Sequence, residues 1–296
     1  MTDTEAGAHA ASATPPAMGG SELPPGFGLV YAALLVSMLL AALDQTIVAT
    51  ALPTIVGELR GLKLMGWVIS SYTLALTISL PVYGRVGDMI GRRKPFLFAL
   101  VLFLAGSALC GVAGSVEQLI AFRFIQGIGG GGLLVLSQTI VADFVPARNR
   151  AKYMAPIGAL FGLASALGPI VGGILTDVAG WRWIFIINLP VGAFAVVAVM
   201  TAMKMPHVNI TKGKFDWLGF ALLVISVISL ILASGEIAAG SRSWHILAIA
   251  AVCGLSTTLF FKAEGKAEHP ILPLHFFRDR TFAIAGFAAA VSSLIM

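Results

Sequence analysis

Eight apolar runs, each near the ~20 residues that a bilayer core demands, follow one another along this chain of 296 residues. They lie at about 28–51, 66–83, 96–115, 118–142, 153–176, 183–203, 216–235 and 244–262, and a ninth begins near Thr281. In lipid every backbone polar group must be bonded within its own segment, so each run is expected to be a helix and the whole an all-α, multi-pass membrane protein. Charged residues make up 11% of the chain and the mean hydropathy is +0.93, whereas a soluble domain carries about 25% charged residues. The net charge of +5 would suggest nucleic acid in a soluble protein. Here the cations sit in short connections between apolar runs, so they report topology, and no nucleic-acid partner is expected. Cys110 and Cys253 stand singly in apolar runs, without the paired spacing of a disulfide framework or metal site, and no cofactor is implied.

The cations are unevenly shared between alternate connections. Arg85, Arg92, Arg93, Lys94, Arg148, Arg150, Lys152, Lys204, Lys212, Lys214, Lys262, Lys266, Arg278 and Arg280 fall on one side, against Arg60, Lys63, Arg182 and Arg242 on the other. Because Lys and Arg resist translocation, the rich side is expected in the cytoplasm together with the N-terminus, and the chain in the cytoplasmic (inner) membrane. Residues 1–26, rich in Ala, Pro, Gly and Ser and free of Lys and Arg, are expected to be a disordered cytoplasmic tail. The run from Thr281 to Met296 rises only ~24 Å of a ~30 Å core. That is expected of a fragment of a longer protein, or of a naturally truncated one.

Gly84 to Phe96, with four cations and Asp88, reads as a glycine-punctuated turn between the second and third runs. Its glycines would leave Asp88 free to accept hydrogen bonds from a neighbouring helix N-terminus. A related pattern returns later. Asp88-x-x-Gly91-x-Arg93-x-x-Phe96 matches Asp177-x-x-Gly180-x-Arg182-x-x-Phe185, and Leu43–Pro53 matches Leu136–Pro146 at seven of eleven positions. The partners fall on opposite membrane faces, so three helices recur with inverted topology, the build of many secondary transporters.

Asp44 lies inside the first run and Arg123 inside the fourth. Each costs about 2.5–3.5 kcal/mol at a helix centre, and such residues are functional by default. Counting from the helix ends places both in the outward half at similar depth, so the geometry allows an ion pair or a pair bridged by water. Burial favours the neutral acid and a guanidinium favours the carboxylate. An acid between those pulls, facing water, can gain and lose a proton as a cavity opens to either side. A purely structural pair that pins the helices is the alternative. Five glycines between Gly127 and Gly132 permit close helix approach in a bilayer. The phosphate-binding reading of such runs needs a preceding strand, and none is expected. Gly168-Pro169-Ile170-Val171-Gly172-Gly173 suits either a kinked, sliding helix or a close-packed face.

These motifs together resemble the major facilitator superfamily, and within it the fourteen-helix drug:proton antiporter family. Leu43–Pro53 is similar to the family's first-helix motif, Gly84–Lys94 to its loop between helices two and three, and Leu119–Gly131 to its fourth-helix motif. Gly168–Gly173 resembles the antiporter motif of helix five, Trp181–Gly192 the stretch leading into helix six, and Phe215–Gly219 the start of helix seven. Met89 stands where the family has Arg, and Ala164 where it has Gly. The resemblance implies a six-helix bundle of 3+3 inverted repeats over 27–203, a cytoplasmic linker over 204–215, an extra helix pair over 216–262, a cytoplasmic loop over 263–280 and a truncated ninth helix over 281–296. It implies proton-coupled export of small lipophilic or cationic compounds such as drugs or antibiotics, with Asp44 as proton site and Arg123 as its tuner. Gly84, Asp88, Gly91, Arg92 and Arg93 would form a cytoplasmic gate, and Gly168, Pro169, Gly172 and Gly173 a hinge. Its partners would be the small-molecule substrate, protons, the lipid bilayer and a missing C-terminal half of the same transporter. Alternatives are a non-transporting scaffold or receptor on a degenerate half-carrier, or an exporter of a specific endogenous metabolite. No catalytic constellation lies at membrane depth, so an enzyme is not expected.

Overall fold

The computed structural model describes residues 26–203, 215–238, 243–267, 271 and 279–295. The tail expected over 1–26, the linker over 204–215 and the loop over 263–280 lie largely outside the described residues. Helices α1 (Phe27–Glu58), α2 (Met65–Ile90), α3 (Arg93–Gly111), α4 (Val116–Phe144) and α5 (Arg150–Val178) are each one span, and α6 (Arg182–Ile186) with α7 (Asn188–Ala202) forms the sixth. Then come α8 (Trp217–Ala238), α9 (Ser243–Glu264) and α10 (Arg280–Ile295). Seven of the spans are long and apolar enough to cross a membrane, and α8 adds the shorter apolar stretch Trp217–Ala233.

The helices follow the apolar runs, and the proline positions explain the one break. Pro53, Pro81, Pro156 and Pro169 lie inside continuous helices, as neighbouring helices in a membrane bundle allow. Pro190 cannot donate to the carbonyl one turn before it. The sixth span divides there, at Ile187.

The turn expected over Gly84–Phe96 is much shorter than its glycines suggest. Helix α2 runs through Gly84, Asp88 and on to Ile90, and only Gly91 and Arg92 lie between it and α3. Glycine is tolerated in a membrane helix where backbones approach, and Gly87 lies against Leu136 and Arg92. Gly91 alone makes the corner, with φ 84°, a conformation that L side chains resist.

Packing reveals the inverted repeat. Helix α1 packs on α5 as α4 packs on α2, and the α1 contact with α7 corresponds to the α4 contact with α3. The corners match too. Gly180, the repeat partner of Gly91, has φ 89°, and Phe96 and Phe185 are both fully buried. Arg93 donates from Nη2 to Met200 O at 2.7 Å near the end of α7, while Arg182 donates to Ala113 O at 3.4 Å just beyond α3. Each arginine thus satisfies orphan carbonyls at the end of the other repeat's third helix.

Candidate functional site

Asp44 and Arg123 form a direct ion pair between Arg123 Nη1 and Asp44 Oδ2, with side chains 0% and 1% exposed. Two amides complete the acid's shell. Gln126 donates from Nε2 to Asp44 Oδ1 at 2.8 Å and accepts from Arg123 Nη1 at 2.9 Å, so one side chain bridges both ions. Asn188, first residue of α7, donates to Asp44 Oδ1 at 3.5 Å and to Ser107 Oγ at 2.9 Å, and Ser107 donates onward to Phe185 O. The Tyr72 ring lies 4.1 Å from Arg123 Cζ, a cation–π contact strengthened by the dry setting. Helices α1, α2, α3, α4 and α7 all reach this point.

Glycines make that convergence possible. A methyl group on Gly106 of α3 would come within 2.7 Å of the Gln126 backbone, so α3 reaches α4 only because position 106 has no side chain. Gly127 and Gly131 of α4 press on Tyr72 and Leu76 of α2, and Gly129 presses on Phe103 of α3. The run from Gly127 to Gly132 stays helical within α4, its backbone bonds intact and its flanks open to two neighbours.

Burial overturns one expectation. The pair was expected to face water, but Gln126, Asn188 and Tyr72 close around it and the glycine-lined contacts leave no opening to the surface. In this conformation the acid is sealed inside the six-helix unit. Arg123 Nε is buried without a hydrogen-bond partner among the described residues.

The expected gate residues form two groups. Arg92 bridges Asp88 of its own corner (Nη2 to Oδ1, 3.1 Å) and Asp143 at the end of α4 (Nε to Oδ2, 3.0 Å). Asp88 therefore takes the Arg92 side chain rather than a neighbouring helix N-terminus, and at 47% exposure it keeps much of its surface free. Arg93 is drawn away to the end of α7. On the opposite face Glu58, ending α1, accepts from Trp181 Nε1 at 2.8 Å and Arg182 Nη1 at 2.6 Å. This clasp is the inverted counterpart of Arg92 and Asp143: in each, the end of one repeat's first helix is tied to the other repeat's corner.

The residues expected to form a hinge lie in unbroken helix. Gly168 packs against Thr46 and Gly172 against Ile47, just beyond Asp44 on α1, while Gly173 has open space on its free side. Thr46 donates to Ala164 O at 3.1 Å across the same contact. Asp143, Tyr72, Gln126 and Asn188 were not singled out as site residues by sequence. The amides were visible as polar residues in apolar runs, and Asp143 as an acid at the repeat's end. Tyr72 carried no comparable signal.

A bundle of two interlocked inverted triplets with a buried acid–base pair at its centre invites comparison with known carriers. The Major Facilitator Superfamily profile matches residues 34–296. This chain belongs to the major facilitator superfamily. It is 42% identical over 263 residues to Multidrug resistance protein 3 of Bacillus subtilis (strain 168), covering 88% of this chain and 51% of that protein. It is 37% identical over 273 residues to Multidrug transporter protein MdtP of the same organism, covering 90% and 50%. An MFS-type efflux pump, LUC4 of a Fusarium species, is 37% identical over 282 residues, covering 91% and 50%. The chain thus spans about half the length of these curated relatives. Among solved structures it resembles the human organic anion transporter MFSD10 (TETRAN) at TM-score 0.55 and 22% identity, over 69% of this chain and 55% of that one. A D-xylose–proton symporter aligns at TM-score 0.54 and 16% identity, over 79% and 67%. At those identities the structural likeness concerns the fold alone.

Proposed function

We propose that this superfamily member is the N-terminal part of a proton-coupled antiporter that exports small lipophilic or cationic compounds across the cytoplasmic membrane. The observation that carries the reading is the buried ion pair of Asp44 and Arg123, bridged by Gln126, in a chain whose relatives are named as multidrug and efflux proteins. A dry pair is a stable resting state. Proton exchange requires that it part, because protonation of Asp44 removes the charge that holds Arg123 and leaves Gln126 as its remaining acceptor. Asn188, at the junction of α6 and α7, shares Asp44 Oδ1 with Gln126, so release of that oxygen requires both amides to move. Arg92 with Asp88 and Asp143 would close the cytoplasmic side. A second six-helix half would supply the other wall of the substrate cavity, since alternating access needs two bundles around one site.

The test uses the complete gene. In everted vesicles, substrate-driven proton release is expected with the native acid and lost with Asp44→Asn, while Asn188→Asp alters its pH profile. Intact coupling in Asp44→Asn would remove the proton site from this reading.

A further inference from the structure

A groove of about 490 Å³ lies outside the ion-pair network, between α2, α3 and the start of α8, with α4 as its floor. Its walls are almost wholly hydrocarbon, including Ile78 and Val82 of α2, Phe98 of α3, Ile128 of α4 and Phe220 of α8. Along α2 it runs from Ala75 to Ile90, a rise of ~22 Å. That is longer than the ~15 Å half-thickness of a bilayer core, so the groove is long enough to hold a tail of one leaflet. Lys94 stands at its mouth, exposed and with no ion pair or hydrogen bond among the described residues. Arg93 and Lys94 both occupy the first turn of α3, which holds no acid, although the helix dipole there favours anions. In the groove wall, Tyr83 is 6% exposed and its buried hydroxyl has no partner among the described residues.

We infer that this groove seats one acyl chain of an anionic phospholipid, with the headgroup on Lys94. The lipid fills the gap between the six-helix unit and α8, which meets that unit mainly through α2. It belongs to the cytoplasmic leaflet, a point that rests on the orientation proposed above. Charge selects the class of occupant: a lysine at the mouth attracts an anionic headgroup and disfavours a lipophilic cation.

Native mass spectrometry of the protein purified from the complete gene tests this without any transport assay, so its outcome is separate from that of the antiporter reading. The chain is titrated with phosphatidylglycerol or phosphatidylcholine of identical acyl chains. Phosphatidylglycerol adducts are expected to be retained about fivefold better, as one surface lysine can supply. Lys94→Gln, an exposed change with little bearing on folding, is expected to erase that preference. Val82→Trp, which fills the groove, is expected to remove the retained adduct of either lipid. Equal retention of the two lipids by the native chain, or adducts undiminished by Val82→Trp, would overturn the proposal. So would displacement of the retained adduct by a lipophilic cation dye, which would make the groove a vestibule for substrate.

Discussion

At the scale of single residues, Asp44 and Arg123 are held by each other more than by anything else. Removing one partner of a buried pair strands the other charge at a cost of about 3–5 kcal/mol, whereas removing both is far milder. Arg123→Gln is therefore expected to lower the melting temperature of the detergent-purified protein strongly, and the double variant Asp44→Asn with Arg123→Gln to recover much of the loss. Fluorescence-monitored melting of the native protein, Arg123→Gln and the double variant reads this directly; a double variant no more stable than Arg123→Gln would show that the charges are not mutually compensated. The two ions were legible in the sequence because a charge inside an apolar run has no solvent to justify it. Their sealing was not. It depends on Gly106, Gly127 and Gly131 admitting α2 and α3 so closely, and glycines in a run do not announce which neighbour fills the space beside them.

At the scale of helices, the motif on α5 separates two physical roles that one sequence cannot. If Gly168, Gly172 and Gly173 serve a flexing helix, alanine at each position should impair export alike, because each removes a similar amount of backbone freedom. If they serve close packing, contact decides. Gly168 and Gly172 lie against Thr46 and Ile47, and Gly173 does not meet a neighbour. Packing is the role the geometry favours, so Gly168→Ala and Gly172→Ala are expected to abolish resistance conferred by the complete gene, with Gly173→Ala close to native. Equal losses at all three positions would restore the hinge. The α2–α3 corner carries a related lesson. Its glycines suggested a long turn, yet only Gly91, at φ 84°, leaves the helical path. Gly91→Ala is expected to lower the melting temperature, and Gly84→Ala, with open space around it, to leave it unchanged.

At the scale of the whole molecule, the inverted repeat was legible because two corners and one helix end share residues at equal spacing. The packing carries that symmetry into matching contacts of α1 with α5 and α4 with α2. What sequence could not assign was the pair of clasps, Arg92 with Asp143 and Glu58 with Trp181 and Arg182, since Glu58 and Asp143 lie far along the chain from their partners. The clasps sit on opposite faces, so the sidedness of the membrane decides which of them meets the cytoplasm. Fourteen of the nineteen cations, including Arg92, fall in the connections that alternate to one side in the sequence, and such residues are expected to be retained on the side of synthesis. Single cysteines test this after Cys110 and Cys253 are replaced. A cysteine at Leu62, which is 70% exposed between α1 and α2, is expected to react with a membrane-impermeant maleimide in intact cells, and one at Arg148, between α4 and α5, only after the cells are opened. The reverse pattern would place the Arg92 clasp outside, and with it the lysine at the mouth of the lipid groove.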